Sequence, residues 1–212
     1  MFDIDVIDSP SPIARLILAH GAGAGKEHDF MQCMAQKLAS QHIDVVLFNF
    51  PYMQVIKDTG KRRPPDKAEK LLAHFSEVVA KIGAERSLLP TFIGGKSMGG
   101  RMATMVLDTL NDVIGAVALG YPFHPPGKPE KTRTEHLLTL RKRLLIVQGE
   151  RDTFGNKDEV VGYNLPANID LHFLKDGDHS FKPRKASGES LDKHLDRAVC
   201  HIRTFIKGCT DE

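Results

Sequence analysis

Six short apolar runs recur along the chain: "IARLILA" at 13–19, "IDVVLFNF" at 43–50, "TFIGG" at 91–95, "IGAVALG" at 114–120, "LLIVQG" at 144–149 and "IDLHFL" at 169–174. They are nearly continuous rather than alternating, the pattern of strands covered on both faces. Between them the period lengthens. Leu71, Leu72, Phe75, Val78, Val79 and Ile82 recur at helical spacing, with Asp66 expected as the N-cap after two prolines. Leu191, Leu195, Val199, Ile202 and Ile206 repeat that spacing near the end of the chain. Cys33, Met102 and Met105 are expected to fill core space from helices. Alternation of this kind predicts an α/β fold, a mostly parallel sheet with helices on both faces, in a single domain over residues 1–212. In such sheets ligands sit beyond the C-terminal ends of the strands, so the chemistry belongs in the residues that follow each strand.

Composition narrows the function classes. Hydrophobic residues make up 41% of the 212 and charged residues 26%, a globular balance. A net charge of +2 gives no reason to expect nucleic acid or an anionic membrane as a partner. No run approaches the ~18 apolar residues of a membrane span. The opening "MFDIDVIDSPSP" has three aspartates and no basic region, unlike a signal peptide. Cys33, Cys200 and Cys209 cannot all pair, and with no Cys-x-x-Cys spacing they point to reduced thiols and a cytoplasmic setting.

The sharpest signal is "TFIGGKSMGGRMATMVL" at 91–107. Gly95-Lys96-Ser97-Met98-Gly99 fits Gly-x-Ser-x-Gly, with a strand pattern before it and a helix pattern after it. That context makes Ser97 a nucleophile on a tight elbow. The turn leaves room only for small residues two before and two after the serine. Gly95-Lys96-Ser97 also resembles the tail of a phosphate loop, but the leading glycine would fall on Pro90. A serine needs a base oriented by an acid, and in this architecture the chain order is Ser, acid, His. "LLIVQGERDTFG" offers Asp152, with Glu150 as competitor, solvated or paired with Arg151. "KDGDHSF" offers His179 in a loop, whereas His172 lies inside a strand pattern and is expected to be packed.

"LAHGAGAGK" follows the first long strand. It fails both nucleotide patterns, because Glu27 stands where a phosphate loop needs Ser or Thr and Lys26 where a dinucleotide loop needs Gly. Its small residues suit an oxyanion hole instead, with the N–H of Ala22 (or of Gly23) joined by that of Met98. His20 is expected to brace this loop. No cofactor is implied. Metal binding draws only weak support from Asp176 and Asp178 beside His179.

"HGAGAG", "FNFPY", "GGKSMGGRMA", "YPFHPPGKPEKTRTEHL", "QGERDTFG" and "GDHSF" together resemble the small α/β-hydrolases akin to dienelactone hydrolase. The likeness is stronger to a predicted-hydrolase family that includes an animal testis-expressed protein and a subunit of the non-specific lethal chromatin complex. The resemblance runs from about residue 13 to the last helix. It implies the α/β-hydrolase fold and a triad on Ser97, Asp152 and His179. Dienelactone hydrolase uses a cysteine nucleophile, so its reaction does not transfer to Ser97. Activity on a small-molecule acyl substrate (ester or thioester) is implied, by hydrolysis or by transfer to another acceptor. The chromatin branch implies a scaffold as the alternative. The Pro-rich segments 51–66 and 121–135 read as loops, too short for a large lid. Their cations Lys61, Arg62, Arg63, Lys128, Lys131 and Arg133 form either a basic rim or solvated loop charges, and His124 could touch substrate.

Overall fold

The computed structural model describes residues 2–86 and 88–211. Seven strands, β1 (Ile4–Ile7), β2 (Ala14–Ala19), β3 (Ile43–Phe48), β4 (Thr91–Lys96), β5 (Val113–Leu119), β6 (Arg143–Gly149) and β7 (Ile169–Leu174), form one sheet in the order β1-β3-β2-β4-β5-β6-β7. Every pairing is parallel except that of β1 with β3. The helices are α1 (Asp29–Ala39), α2 (Pro51–Thr59), α3 (Ala68–Glu85), α4 (Met98–Val106), α5 (Lys157–Val161) and α6 (Leu191–Thr210). None of the described helices is long and apolar enough to cross a membrane.

Both sheet faces are dry, which is why the strands read as unbroken apolar runs. Along β2, Leu16 and Leu18 face a core built with Met31, Met34 and Leu38 of α1 and Leu195, Val199 and Ile202 of α6. Ile17 and Ala19 face the opposite core, with Tyr52 of α2, Phe75 and Val78 of α3 and Met102 of α4. A fully buried Leu or Ile contributes roughly 1.5–3 kcal/mol, so each strand commits strongly to this register. After β2 the chain builds β3 on one side, then returns to place β4 on the other. The loops leaving β2 and β4 therefore diverge, opening a crevice between them.

The structure corrects the sequence reading at several elements. Residues 51–59 are helix, not loop: Pro51 takes a first-turn position, where its missing N–H costs nothing, and Tyr52 and Met53 turn inward. Asp66 is not the N-cap of α3; Lys67 is, without a side-chain cap, while Asp66 pairs with Arg63 and Lys70. Helix α5 was unforeseen and starts from a capping box made by Asn156 and Glu159. Residues 120–134, after β5, stay irregular, and among the described residues no lid helix covers the strand ends.

Strand β1 was also unforeseen. Its alternating Ile4 and Val6 form a short edge strand, and Asp5 between them and Asp3 before them are tied down from the loop after β2. The nearly buried Lys26 ammonium pairs with Asp5 at 2.5 Å and Asp3 at 3.1 Å. Lys26 is thus an anchor for the edge strand rather than a phosphate ligand. Partial burial alone would raise the Asp3 carboxyl, but hydrogen bonds from Lys57, Asn49 and Lys26 prevail and hold it at about 2, below its ordinary 3.8. A carboxyl whose pKa is depressed by folding adds stability that is complete above about pH 4 and fades as the pH falls toward 2. Asp3→Asn should therefore flatten the loss of thermal stability between about pH 4 and 2, as read by circular dichroism. A mutant profile parallel to wild type would assign the acid sensitivity to other groups.

Candidate active site

Ser97 sits between β4 and α4 with φ 52° and ψ −116°, in the left-handed region that side chains rarely adopt. The cause is the absence of space around it. A Cβ on Gly95 would lie 2.4 Å from the Gly99 carbonyl carbon, and one on Gly99 would lie 2.5 Å from the carbonyl oxygens of Ala19 and His20. The chain turns within this gap, and the serine side chain is pushed outward at the crevice beside β2.

His179 follows β7 and Asp152 follows β6. The Ser97 hydroxyl lies 2.9 Å from His179 Nε2, and His179 Nδ1 lies 2.8 Å from Asp152 Oδ2. A carboxylate only accepts, so Nδ1–H donates to it and Nε2 is left to accept from the serine. Asp152 is fully buried. Its Oδ1 accepts the Phe154 N–H at 2.8 Å, and its Oδ2 also accepts from Gln148 Nε2 at 3.0 Å. Phe154 lies against the His179 ring, 4.2 Å between centroids. Glu150 is elsewhere: it pairs with Lys157, not Arg151, and accepts the Asp176 N–H. Asp176 is held by Arg184 and Arg151, and Asp178 accepts the Ser180 and Lys182 N–H groups, so this loop's acids are spent on its own shape.

The loop after β2 lies directly against Ser97, with Gly21 facing its Cβ. Burial lowers the His20 imidazole to about 4, so it is neutral. Its Nε2 accepts the Phe50 N–H at 3.0 Å and its Nδ1–H donates to Gly21 O at 2.6 Å. Tyr52 Oη donates to the same carbonyl and, at 3.0 Å, to Ala22 O. In a trans peptide the N–H points away from the carbonyl. Fixing Gly21 O therefore fixes the direction of the Ala22 N–H, and fixing Ala22 O does the same for Gly23. Among the described residues neither of these N–H groups, nor that of Met98, donates to a backbone or side-chain acceptor.

Three participants escaped the sequence reading. Gln148 interrupts the apolar run of Leu144 to Val147 in β6, and that interruption was its signal. Its amide joins Asp152 to the Tyr121 and Gly155 carbonyls. Phe154 carried no pattern that would single it out. Lys96, the variable residue of the elbow, is 9% exposed and donates from Nζ to His179 O at 2.5 Å, beside the rings of Phe30 and Phe181. Burial pulls its ammonium down to about 8 despite the attraction of Asp152 and Asp178. Gly120, at φ 64°, leaves the gap that this contact needs, since a Cβ there would lie 2.9 Å from both Lys96 Nζ and His179 O.

A cavity of about 950 Å³ opens beside Ser97 and His179, between α1 and α6. Ala24, Phe30, Met31, Leu191 and Leu195 make it mainly apolar. The loop cations Lys61, Arg62, Arg63, Lys128 and Lys131 are exposed and lie outside its walls. His124 is buried between Pro125 O and Glu159, away from the cavity. His172 is exposed, not packed, and stacks on His201 of α6 at 3.9 Å.

The alpha/beta hydrolase domain family matches residues 12–207, and the chain belongs to that family. Among solved structures it is similar to Est1E from Butyrivibrio proteoclasticus with ferulic acid bound (14% identity, TM-score 0.73, covering 100% of this chain and 96% of that one). An α/β serine hydrolase without lid from Xanthomonas campestris aligns at 16% identity and TM-score 0.68, covering 99% and 88%. Dienelactone hydrolase from Anabaena variabilis aligns at 16% and 0.67, covering 92% and 88%. At these identities the likeness is one of fold.

The elbow packing gives a direct stability test. Gly99→Ala should cost about 3 kcal/mol or more, the upper range for overpacking, because the obstacles are backbone oxygens that cannot swing aside. Gly23→Ala, whose Cβ would meet nothing within 4 Å, should change stability by less than about 0.5 kcal/mol. Urea denaturation measures both, and equal effects would contradict the close approach described.

Proposed function

We propose that this α/β hydrolase is a serine hydrolase acting on a small ester, thioester or related acyl bond, by way of an acyl-enzyme. The observation that carries the reading is the hydrogen-bonded line from Ser97 Oγ through His179 to Asp152, open at the serine end to an apolar cavity. In this mechanism Ser97 Oγ attacks the substrate carbonyl as His179 Nε2 takes its proton. Asp152 holds the imidazole in the tautomer with Nδ1–H and stabilises the imidazolium. The N–H groups of Ala22 and Met98 receive the developing oxyanion. His179 then returns the proton to the leaving group, and water repeats the sequence on the acyl-enzyme. The His179 side chain is 23% exposed, so water has access to that intermediate, which favours hydrolysis over transfer to another acceptor.

The serine-hydrolase and esterase descriptions of fold neighbours support this assignment. Within the fold, the six motifs support a kinship with the predicted-hydrolase family that has testis-expressed and chromatin-complex members. The unpaired thiols of Cys33 and Cys200 fit a cytoplasmic protein.

A fluorophosphonate probe should label Ser97 and leave Ser97→Ala unlabelled though folded. An adduct mapped by mass spectrometry to Ser180 or Ser187 would reject the elbow assignment. Asp152→Asn should lower kcat by about 10⁴, because the amide no longer enforces the tautomer. Glu150→Gln should leave kcat within about twofold of wild type, since Glu150 only braces Lys157 and the Asp176 backbone. The reverse ranking would move the acid. Ala22→Pro, which deletes the proposed donor, should lower kcat by about 10²–10³. Ala24→Pro in the same loop is the control, and equal losses would mean loop distortion rather than a lost donor.

A further inference from the structure

Arg101 belongs to α4, whose Met102 and Ala103 pack into the core on the sheet face opposite the apolar cavity, Arg133 lies close to it, and neither has an acidic partner among the described residues. Arg101 stands one helical turn after the nucleophile, its N–H bonded to Ser97 O at 3.0 Å. Its guanidinium sits against the Tyr121 hydroxyl and close to Arg133. Arg133 comes from the segment after β5 and is half-buried. Its N–H bonds to Phe123 O at 2.7 Å, and its own carbonyl accepts from Tyr121 Oη at 2.8 Å.

The groups around the two arginines add no negative charge. The Thr104 hydroxyl donates to Arg101 O at 2.8 Å and accepts from His136 Nε2 at 2.9 Å. Burial, reinforced by Arg101, lowers the His136 imidazole to about 4, so it is neutral. Burial and then the Arg101 charge depress the Arg133 guanidinium as well. The Arg101 Nε–H is shut off from water without an acceptor. The fold therefore holds two like charges together, partly desolvated, with donor capacity to spare. Guanidinium groups in that state match a carboxylate or phosphate, whose oxygens accept paired N–H bonds.

We propose that Arg101 and Arg133 form an oxyanion-group subsite that receives a carboxylate or phosphate carried by the substrate, while Ser97 attacks its acyl carbonyl. The proposal rests on the serine-hydrolase reading and assigns it a substrate class, an acidic ester or thioester. Lys61, Arg62, Lys128 and Lys131 take no part: each is exposed on a loop, where charge attracts anions without selecting them.

Binding comes first in the test, because it does not depend on turnover. Glutarate and inorganic phosphate are titrated calorimetrically into wild type, Ser97→Ala, Arg101→Gln and Arg133→Gln, with folding checked by circular dichroism. Wild type and Ser97→Ala should bind one of the anions saturably, and each arginine variant should weaken that binding about tenfold or more, the loss of a charged hydrogen bond. Tighter binding of glutarate identifies the group as carboxylate, and tighter binding of phosphate identifies it as phosphate.

Turnover is then compared between the p-nitrophenyl monoester of glutaric acid and a neutral p-nitrophenyl ester of similar length. If the subsite takes carboxylate, wild type should favour the acidic ester, chiefly through KM. Arg133→Gln and Arg101→Gln should erase that preference, and Arg101→Lys should restore part of it. Failure of folded wild type to bind either anion, or equal losses on both esters in the variants, would overturn the subsite. Anion binding that depends on both arginines, in a protein whose Ser97 no fluorophosphonate labels, would instead overturn the serine-hydrolase reading and keep the subsite.

Discussion

The site depends on a gap too narrow for one carbon atom. Where β4 meets α4, the backbone at Gly95 and Gly99 touches the Ala19 and His20 carbonyls, and no side chain fits between. The chain can pass only by forcing Ser97 into a left-handed conformation. Such a conformation costs about 1–3 kcal/mol and persists only when the surroundings over-determine it. Here they do, because β2 and β4 are central neighbours in a sheet whose two faces are both buried. The same closeness puts the loop after β2 against the serine, so the proposed nucleophile and oxyanion donors are consequences of one packing event.

A second constraint is electrostatic. Asp152 is wholly removed from solvent, and a buried carboxylate needs donors on both oxygens. The Phe154 N–H, Gln148 and His179 supply them. His179 is steered from the other side too, since its carbonyl is held by Lys96, which leaves the sheet next to Ser97. The imidazole is therefore fixed through its side chain by Asp152, just after β6, and through its backbone by Lys96 of β4. Among the described residues Lys96 gains no counterion in contact from this arrangement. That fits a cation retained for the geometry it imposes rather than for ion-pair stability.

The central strands, the long amphipathic helices and the positions of Ser97, Asp152 and His179 were legible because each leaves a periodic or motif-level trace. Strand β1 was not: Ile4 and Val6 alternate with aspartates, and the distant Lys26, Lys57 and Asn49 explain how an acidic edge strand is tolerated. Helix α2 was hidden by its proline, whose effect depends on falling at the first turn. Lys96 and Arg101 sat inside the strongest motif yet were passed over, since a motif fixes which neighbours must be small and is silent about the remaining side chains. The loop cations attracted notice for their number. Burial, which sequence does not display, separates Arg133 from the rest.

The two flanks of Ser97 differ in the kind of free energy they offer a ligand. Between α1 and α6 the walls are Phe30, Met31, Leu191 and Leu195, and binding there is driven by apolar area, which grows with size and tolerates variation in shape. Across the sheet, Arg101 and Arg133 offer few contacts of fixed direction, and an uncharged group placed there would leave their desolvation uncompensated. A substrate spanning both flanks would have its reacting carbonyl located by the polar end, while the apolar end supplies affinity. Directional contacts close to the bond being broken limit misplacement of the carbonyl relative to Ser97 and the Ala22 N–H. Small errors of that kind are what cost catalytic rate most.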